Sequence, residues 1–127
     1  MEKQIISTIK APAALGPYSQ AVKVGNVLYT SGSLAINAAT GEFINDDIKK
    51  ATAQSLENLK FILEEAGTSL DKVVKTLVFL KDMNDFADMN EVYAKYFTTN
   101  PPARSCVQAA KLPKDALVEI EVIAIVQ

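Results

Sequence analysis

The sequence LVEIEVIAIV, residues 117–126, decides the fold. It is rich in β-branched residues and contains neither glycine nor proline, so it predicts a long β-strand. Side chains alternate between the two faces of a strand. One face therefore carries Glu119, Glu121, Ile123 and Ile125, and the other carries Ile120, Val122, Ala124 and Val126. Because both faces are largely apolar, both need to be covered by other parts of the protein.

Two predicted helices can cover one of these faces. Residues 48–66 carry apolar side chains at helical spacing, after N-cap candidates in residues 45–47 and before a stop at Gly67. Residues 84–97 begin with an Asn-Asp cap and carry a second apolar stripe. The Asn-Pro-Pro sequence at 100–102 ends this helix.

Shorter strands complete the predicted order. Residues 21–33 indicate a hairpin around a Gly-Asn turn, 73–80 a buried strand, and 105–110 a short strand before a turn at 111–115. This order predicts an α+β sandwich with both helices on one face of a mixed sheet. Since two helices cover only one face, the other face requires another subunit. We therefore expect a homo-oligomer, most simply a closed ring.

Composition narrows the possible chemistry. The 127-residue chain contains no histidine and one cysteine, which excludes a Ser-His-Asp triad, a Cys-His pair and a histidine or thiolate metal cluster. The length indicates one domain. A lone cysteine and the lack of a signal or membrane-spanning stretch favour a cytoplasmic protein. The net charge of −2 argues against a nucleic-acid binder, which normally carries a basic patch.

Arg104 is the one arginine in a chain whose other strong cations are lysines. A guanidinium group forms a planar fork that binds a carboxylate through two hydrogen bonds, which an ammonium group does not. Arg104 lies where a proline-containing loop enters a strand, a position that aims a side chain reproducibly. It could bind a carboxylate or phosphate, or it could pair with Glu119 or Glu121 across a subunit contact. Composition alone does not decide between these roles.

Other candidates flank this strand and the first hairpin. A carboxyl group buried in the apolar final strand would have a raised pKa and act as a general acid or base, and we favour this role for Glu119 or Glu121 over a solvent-facing one. Tyr18, in a tight turn, could donate its hydroxyl to a ligand or pack on the core. Gly32 could permit a ligand's close approach or mark a bulge. Cys106 has no base nearby, so its backbone N–H is more useful than its thiol.

Several motifs together resemble the RidA/YjgF family of enamine/imine deaminases, also called reactive-intermediate deaminases. These motifs are GPYSQ at 16–20, YTSG at 29–32, PARSCV at 102–107 and LPKD at 112–115 followed by EIE at 119–121. The resemblance extends from Ile5 to Val126. It implies a chorismate-mutase-like α+β fold in one RidA-like domain, residues 1–127, assembled as a homotrimer with active sites in the clefts between subunits.

The resemblance also implies the activity and the roles of residues. The expected enzyme is a 2-iminobutanoate/2-iminopropanoate deaminase, a hydrolase of C=N bonds that converts 2-aminoacrylate and related imines to 2-keto acids and ammonia without metal or organic cofactor. Arg104 would bind the substrate carboxylate with the backbone N–H of Cys106, and Glu119 would hold and activate the attacking water. The other implied site residues are Tyr18, Ser31, Gly32, Phe86 and Asn90. Many relatives have glutamine where this chain has Ser33, a difference that bears on substrate size.

Two other functions remain open from the sequence. A non-catalytic sensor of 2-keto acids or amino acids, acting on a partner protein, would use Arg104 but not Glu119. Ribonuclease activity, attributed to some relatives, is disfavoured by a pI of about 5.1 and by the lack of a basic stripe.

Overall fold

A six-stranded mixed sheet forms the centre of the computed structural model, which describes all residues, 1–127. The strands are β1 (Lys3–Ile6), β2 (Ala21–Val24), β3 (Val27–Thr30), β4 (Val73–Leu80), β5 (Ala103–Gln108) and β6 (Val118–Ile125). Their order across the sheet is β1-β2-β3-β6-β4-β5. Only β4 and β5 pair in parallel, and every other neighbouring pair is antiparallel. The sheet is therefore mixed, as predicted.

The first helix, α1 (Ile48–Glu65), follows the predicted cap and stop signals closely. The Asp47 carboxylate accepts hydrogen bonds from the backbone N–H groups of Lys49 and Lys50 at 2.9 and 3.1 Å. Beyond the helix, Gly67 has a φ of +85°, a left-handed conformation that favours glycine. The buried side of α1 packs on β6 and forms much of the core.

The second helix, α2 (Phe86–Tyr96), begins differently from the prediction. The side chain of Asp85 accepts no capping hydrogen bond. Instead Asp82 accepts one from the Asn84 N–H at 2.8 Å and caps a 3₁₀ turn, Met83–Asp85, that leads into α2. The prediction of a cap at residues 84–85 is therefore wrong. The capping residue is Asp82, because a 3₁₀ turn lies between it and the start of α2.

The two faces of the sheet differ as the alternation in β6 predicts. Ile120, Val122 and Ala124 are buried beneath the helices, whereas their neighbours in the strand are only partly buried. We call the side away from the helices the open face. It carries apolar side chains such as Tyr29 and Val107, which are 49% and 47% exposed. The helices thus cover one face and leave an apolar surface on the other.

The predicted boundaries differ from the structure at several strands. β1 was not predicted, because this edge strand has four residues and only Ile6 is buried. The predicted hairpin at 21–33 is correct, but β3 ends at Thr30 and only Ser33 rejoins the sheet, through a bridge to Ile120. β5 begins at Ala103 rather than Ser105, since the chain becomes extended directly after Pro102. No helix is long and apolar enough to cross a membrane.

Candidate active site

A cleft of about 530 Å³ lies at one end of the sheet. Its walls come from the loop before β2, the segment after β3, α1 and the turn before β6. Four of the predicted site residues line this cleft: Tyr18, Ser31, Gly32 and Glu119. The pairing of β3 with β6 brings Ser31 and Gly32, which directly follow β3, together with Glu119, which is distant in sequence. No group of three or more Asp, Glu or Cys side chains forms a potential metal position.

Glu119 is seated directly against Gly32. The backbones of Ser33 and Ile120 exchange two hydrogen bonds, of 2.7 and 3.2 Å, which bring the two segments together. A Cβ atom added to Gly32 would lie 2.6 Å from both Cδ and Oε2 of Glu119. The sequence leaves Gly32 open between close approach of a ligand and a bulge, and in the structure the group against Gly32 is the carboxyl group of Glu119. Only glycine leaves room for this carboxyl group in its observed position.

The environment of Glu119 raises its pKa. Burial is the larger cause, because it disfavours the charged form, and the negative charge of Glu121 adds to it. No cation neutralises Glu119, since the two ion pairs of the chain are Lys49–Glu91 and Lys81–Asp115. A half-buried carboxyl group with a raised pKa can accept a proton from water and return it to a nearby atom.

The loop that carries Tyr18 is fixed by hydrogen bonds. Tyr18 is 54% exposed at the cleft and so does not pack in the core. The Ser31 hydroxyl donates to the carbonyl of Ser19 at 2.5 Å, and the Ser31 N–H donates to the carbonyl of Gln20 at 2.9 Å. Ser31 therefore holds the loop rather than offering a free hydroxyl to a ligand.

The wall formed by residues 33–36 is attached to α1. The hydroxyl groups of Ser33 and Ser55 each donate to the other residue's carbonyl, at 2.9 and 2.8 Å. Asn58 donates to the carbonyls of Leu34 and Ile36 at 3.1 and 2.8 Å. The Ser33 hydroxyl is thus engaged by the helix. Asn58-Leu59 is among the motifs that carry the family resemblance, but no site role was predicted for Asn58, because a polar residue on the buried side of a helix has no local pattern that indicates one.

The turn before β6 contains a second unpredicted feature. Lys114 and Asp115 have φ values of 58° and 55°, a left-handed conformation that is costly for residues with a side chain. The turn is held by Lys81, whose ammonium lies 2.9 Å from the Asp115 carboxylate, and by Asn45, which donates to the Asp115 carbonyl at 3.0 Å. Lys114 lines the cleft. Strained backbone of this kind often occurs at functional sites.

Arg104 lies in a different place, beneath α2 at the edge strand β5. Its Nη1 donates to Oδ1 of Asn90 at 2.7 Å. The guanidinium carbon lies 4.7 Å from the ring centre of Tyr93 and 5.4 Å from that of Phe86. No buried side-chain nitrogen or oxygen atom lacks a hydrogen-bond partner, so the remaining guanidinium N–H groups reach solvent. Asn90 and Phe86 therefore contact Arg104 itself.

The backbone beside Arg104 adds a further donor. Ala109 donates its N–H to the carbonyl of Leu80 in β4. Because N–H groups alternate in direction along a strand, the N–H of Cys106 faces the free edge of β5. Burial raises the pKa of the Cys106 thiol, which opposes a role as a nucleophile. Arg104 and the Cys106 N–H thus offer a positive charge and hydrogen-bond donors that suit an anion.

Within one chain, Arg104 and Glu119 lie on opposite faces of the sheet. In the strand register Arg104 lies beside Thr76, whose hydroxyl is hydrogen-bonded to Tyr93 of α2. Glu119 lies beside Phe79 and between buried residues of β6, so its side chain is on the open face. The structure therefore brings the predicted residues together in two separate sets, one in the cleft and one beneath α2.

Comparison with known proteins gives consistent matches along nearly the whole chain. The family model described as endoribonuclease L-PSP matches residues 8–126. A RutC family protein of Pyrococcus horikoshii is 57% identical over 96% of this chain and 97% of its own length. The chloroplastic Reactive Intermediate Deaminase A of Arabidopsis thaliana is 48% identical over 98% of this chain and 66% of its own length.

Solved structures agree with these sequence matches. Escherichia coli TdcF with bound serine superposes with a TM-score of 0.93 at 45% identity, covering 98% of this chain and 99% of that one. The YjgF gene product of E. coli gives a TM-score of 0.92 at 47% identity with the same coverage. The order of motifs, the mixed sheet with two helices on one face, and these matches agree. The chain belongs to the endoribonuclease L-PSP family, which is the RidA/YjgF family that its sequence motifs resemble.

Proposed function

We propose that this protein is a deaminase that hydrolyses reactive enamine/imine forms of small amino acids, such as 2-aminoacrylate, to 2-keto acids and ammonia. The observation that carries the proposal is the Glu119 carboxyl group, whose pKa is raised and which is seated against Gly32 in a cleft. Such a group can perform acid–base chemistry without histidine or metal. The relative named Reactive Intermediate Deaminase A supports this reaction class.

Arg104 and the Cys106 N–H would bind the substrate carboxylate. The guanidinium donates one hydrogen bond to Asn90 and keeps other N–H groups for a ligand. Charge-assisted hydrogen bonds of this kind fix both the position and the orientation of a carboxylate. The serine bound to TdcF is a small amino acid with such a carboxylate, which supports a ligand of this size and charge.

Glu119 would then perform the proton transfers. An enamine tautomerises to an imine, whose carbon is electrophilic. Glu119 accepts a proton from water as the water oxygen bonds to this carbon, and it returns the proton to the nitrogen. Glu119 then takes the proton of the new hydroxyl group and delivers it to the amino nitrogen. The C–N bond of the tetrahedral intermediate breaks as the C=O bond forms, and ammonia and the 2-keto acid leave. Since imines hydrolyse readily in water, orientation and one positioned base are sufficient catalysis.

This mechanism needs two copies of the chain, because Arg104 and Glu119 lie on opposite faces of one sheet. The apolar open face of one copy would pack near the free edge of β5 of the next. A closed ring of three copies repeats this heterologous contact and completes three sites. Light scattering after gel filtration should give about three times the chain mass of 13.7 kDa. A measured mass equal to that of a single chain would contradict the assembly.

The deaminase assay tests the reaction directly. A pyridoxal-phosphate-dependent dehydratase releases 2-aminoacrylate from serine, and keto-acid formation is followed with and without the protein. We expect acceleration by the wild type and none by Arg104→Ala or Glu119→Gln. Lys60→Ala removes an exposed cation of α1 that lies outside the cleft and forms no ion pair, so it serves as a matched charge control and should retain activity. Equal rates for wild type and Arg104→Ala would contradict the proposal.

The sensor function has one supporting observation, since the Arg104 set is complete without Glu119. A sensor would bind pyruvate or 2-ketobutyrate through Arg104, and Glu119→Gln would leave its function intact. The deaminase proposal instead requires that Glu119→Gln binds the keto acid but does not accelerate hydrolysis. Calorimetry and the assay on the same variant therefore separate the two functions.

A further inference from the structure

Tyr93 has no role in the proposed reaction, yet of the two aromatic rings beside the Arg104 guanidinium its centre is the nearer. Its side chain is 5% exposed, and the guanidinium carbon lies 4.7 Å from its ring centre. Its hydroxyl is within 2.7 Å of the Thr76 hydroxyl in the core. The ring of Phe97 packs against it at a centroid distance of 4.6 Å. The ring is therefore held from two sides while it contacts the arginine.

These contacts restrict a side chain that would otherwise be mobile. Arginine has several rotatable bonds, and a solvated guanidinium samples many orientations. The face of the Tyr93 ring fixes the guanidinium along the direction perpendicular to the ring. The hydrogen bond to Asn90 limits rotation of the guanidinium parallel to the ring. Thr76 lies beside Arg104 in the register of β4 and β5, so the ring is anchored to the strand next to the arginine.

We propose that Tyr93 is a positioning residue, whose ring holds the Arg104 guanidinium so that its free N–H groups face the substrate carboxylate. This inference rests on the proposed function, in which Arg104 binds that carboxylate. Because the carboxylate does not react, it contacts Arg104 equally in the ground state and in the transition state. Loss of the ring therefore weakens binding and leaves the chemical step unchanged.

The kinetic test compares Tyr93→Leu with Tyr93→Phe and Thr76→Val. Removal of the ring in Tyr93→Leu should raise KM for the imine and Kd for 2-ketobutyrate about tenfold, with kcat within about twofold of wild type. Tyr93→Phe keeps the ring, and Thr76→Val removes only its hydroxyl partner, so both should stay within about threefold in KM. A Tyr93→Leu protein with unchanged KM and Kd, or one that loses kcat instead, would overturn the inference.

A spectroscopic test does not depend on whether a variant folds. Because the chain has one arginine, the guanidinium Nε–H gives a single NMR signal that needs no assignment. In wild-type protein the Tyr93 ring should shift this signal upfield of the position of a free arginine. A signal at the position of a free arginine would refute the inference. If Arg104→Ala retains full activity, the proposed function fails whatever this signal shows.

Discussion

Replacing Gly32 by alanine tests whether activity requires the Glu119 carboxyl group in its observed position against residue 32. A Cβ atom at residue 32 would lie 2.6 Å from Cδ and Oε2 and 2.8 Å from Cγ of Glu119, whereas ordinary contacts are 3.4–4 Å. The carboxyl group must therefore retreat by about 1 Å. The backbone of Gly32 is not in a left-handed conformation, so alanine itself is compatible with the local chain geometry.

The expected effect is large on catalysis and small on stability. A displacement of about 1 Å in a positioned catalytic group costs on the order of 100-fold in rate, so kcat should fall by about this factor. The Glu119 side chain ends in a flexible carboxyl group, and a shifted rotamer costs about 0.5–1.5 kcal/mol in the free energy of unfolding. Binding of 2-ketobutyrate should change little, because Arg104 is not affected.

The assay follows keto-acid formation from 2-aminoacrylate, together with urea unfolding of the same protein. Gly41→Ala is the matched control, since Gly41 has a φ of +78° and open space around it. This control should lose about 1–2 kcal/mol of stability through backbone strain and keep its activity. Wild-type kcat in Gly32→Ala would refute the reasoning.

Three smaller predictions follow from the charges. Since the negative charge of Glu121 raises the pKa of Glu119, Glu121→Gln should move the acid limb of the kcat/KM profile to lower pH, and an unmoved limb would contradict this. Because the pKa of Glu119 is raised in the folded protein, ionisation of this carboxyl group opposes folding. Glu119→Gln should therefore raise Tm at pH 7, but not at a pH below 4.5, the ordinary pKa of glutamate, where the carboxyl group is protonated in both states. Calorimetry at pH 7 and at a pH below 4.5 checks this, and an equal gain in Tm at both would contradict it. Asp47→Ala removes the α1 cap and should cost about 1 kcal/mol in urea unfolding without altering activity; an undiminished stability would show that the cap is dispensable.

Local patterns were sufficient to predict much of the fold. The two faces of β6 follow from alternation, and the ends of α1 follow from Asp47 and Gly67, because each signal depends on a few neighbouring residues. β1 was missed because an exposed edge strand of four residues has almost no buried pattern. The position of β6 between β3 and β4 depends on pairings between distant segments, which no local pattern specifies.

The candidate site was predictable in its residue types but not in its arrangement. Arg104 and Glu119 stand out as a lone arginine and a carboxylate in an apolar strand. Their opposite faces depend on the register of β5 with β4 and of β4 with β6, which is set by tertiary packing. Tyr93 reads as one more residue of the apolar stripe of α2, since a local pattern cannot show that an aromatic ring contacts an arginine in another strand.

The opposite faces of Arg104 and Glu119 also make the shared site testable by complementation. If each site takes Arg104 from one copy and Glu119 from the next, two inactive variants can complement each other in one ring. Equal amounts of Arg104→Ala and Glu119→Gln are unfolded together and refolded. A site is intact only where the copy that supplies Arg104 is the Glu119→Gln variant and the copy that supplies Glu119 is the Arg104→Ala variant. Random assembly should therefore restore about a quarter of wild-type activity.

A second mixture separates this arrangement from a site within one copy. Wild type refolded with the double variant Arg104→Ala/Glu119→Gln should retain about a quarter of full activity if a site needs two intact copies, but about half if one copy is sufficient. If a site needs two copies, the mixture of Arg104→Ala with Glu119→Gln should also be active. If a site lies within one copy, that mixture should be inactive, because every chain in it carries one defect. An inactive first mixture together with half activity in the second would show that Arg104 and Glu119 act within the same chain, and that the sheet must rearrange to bring them together.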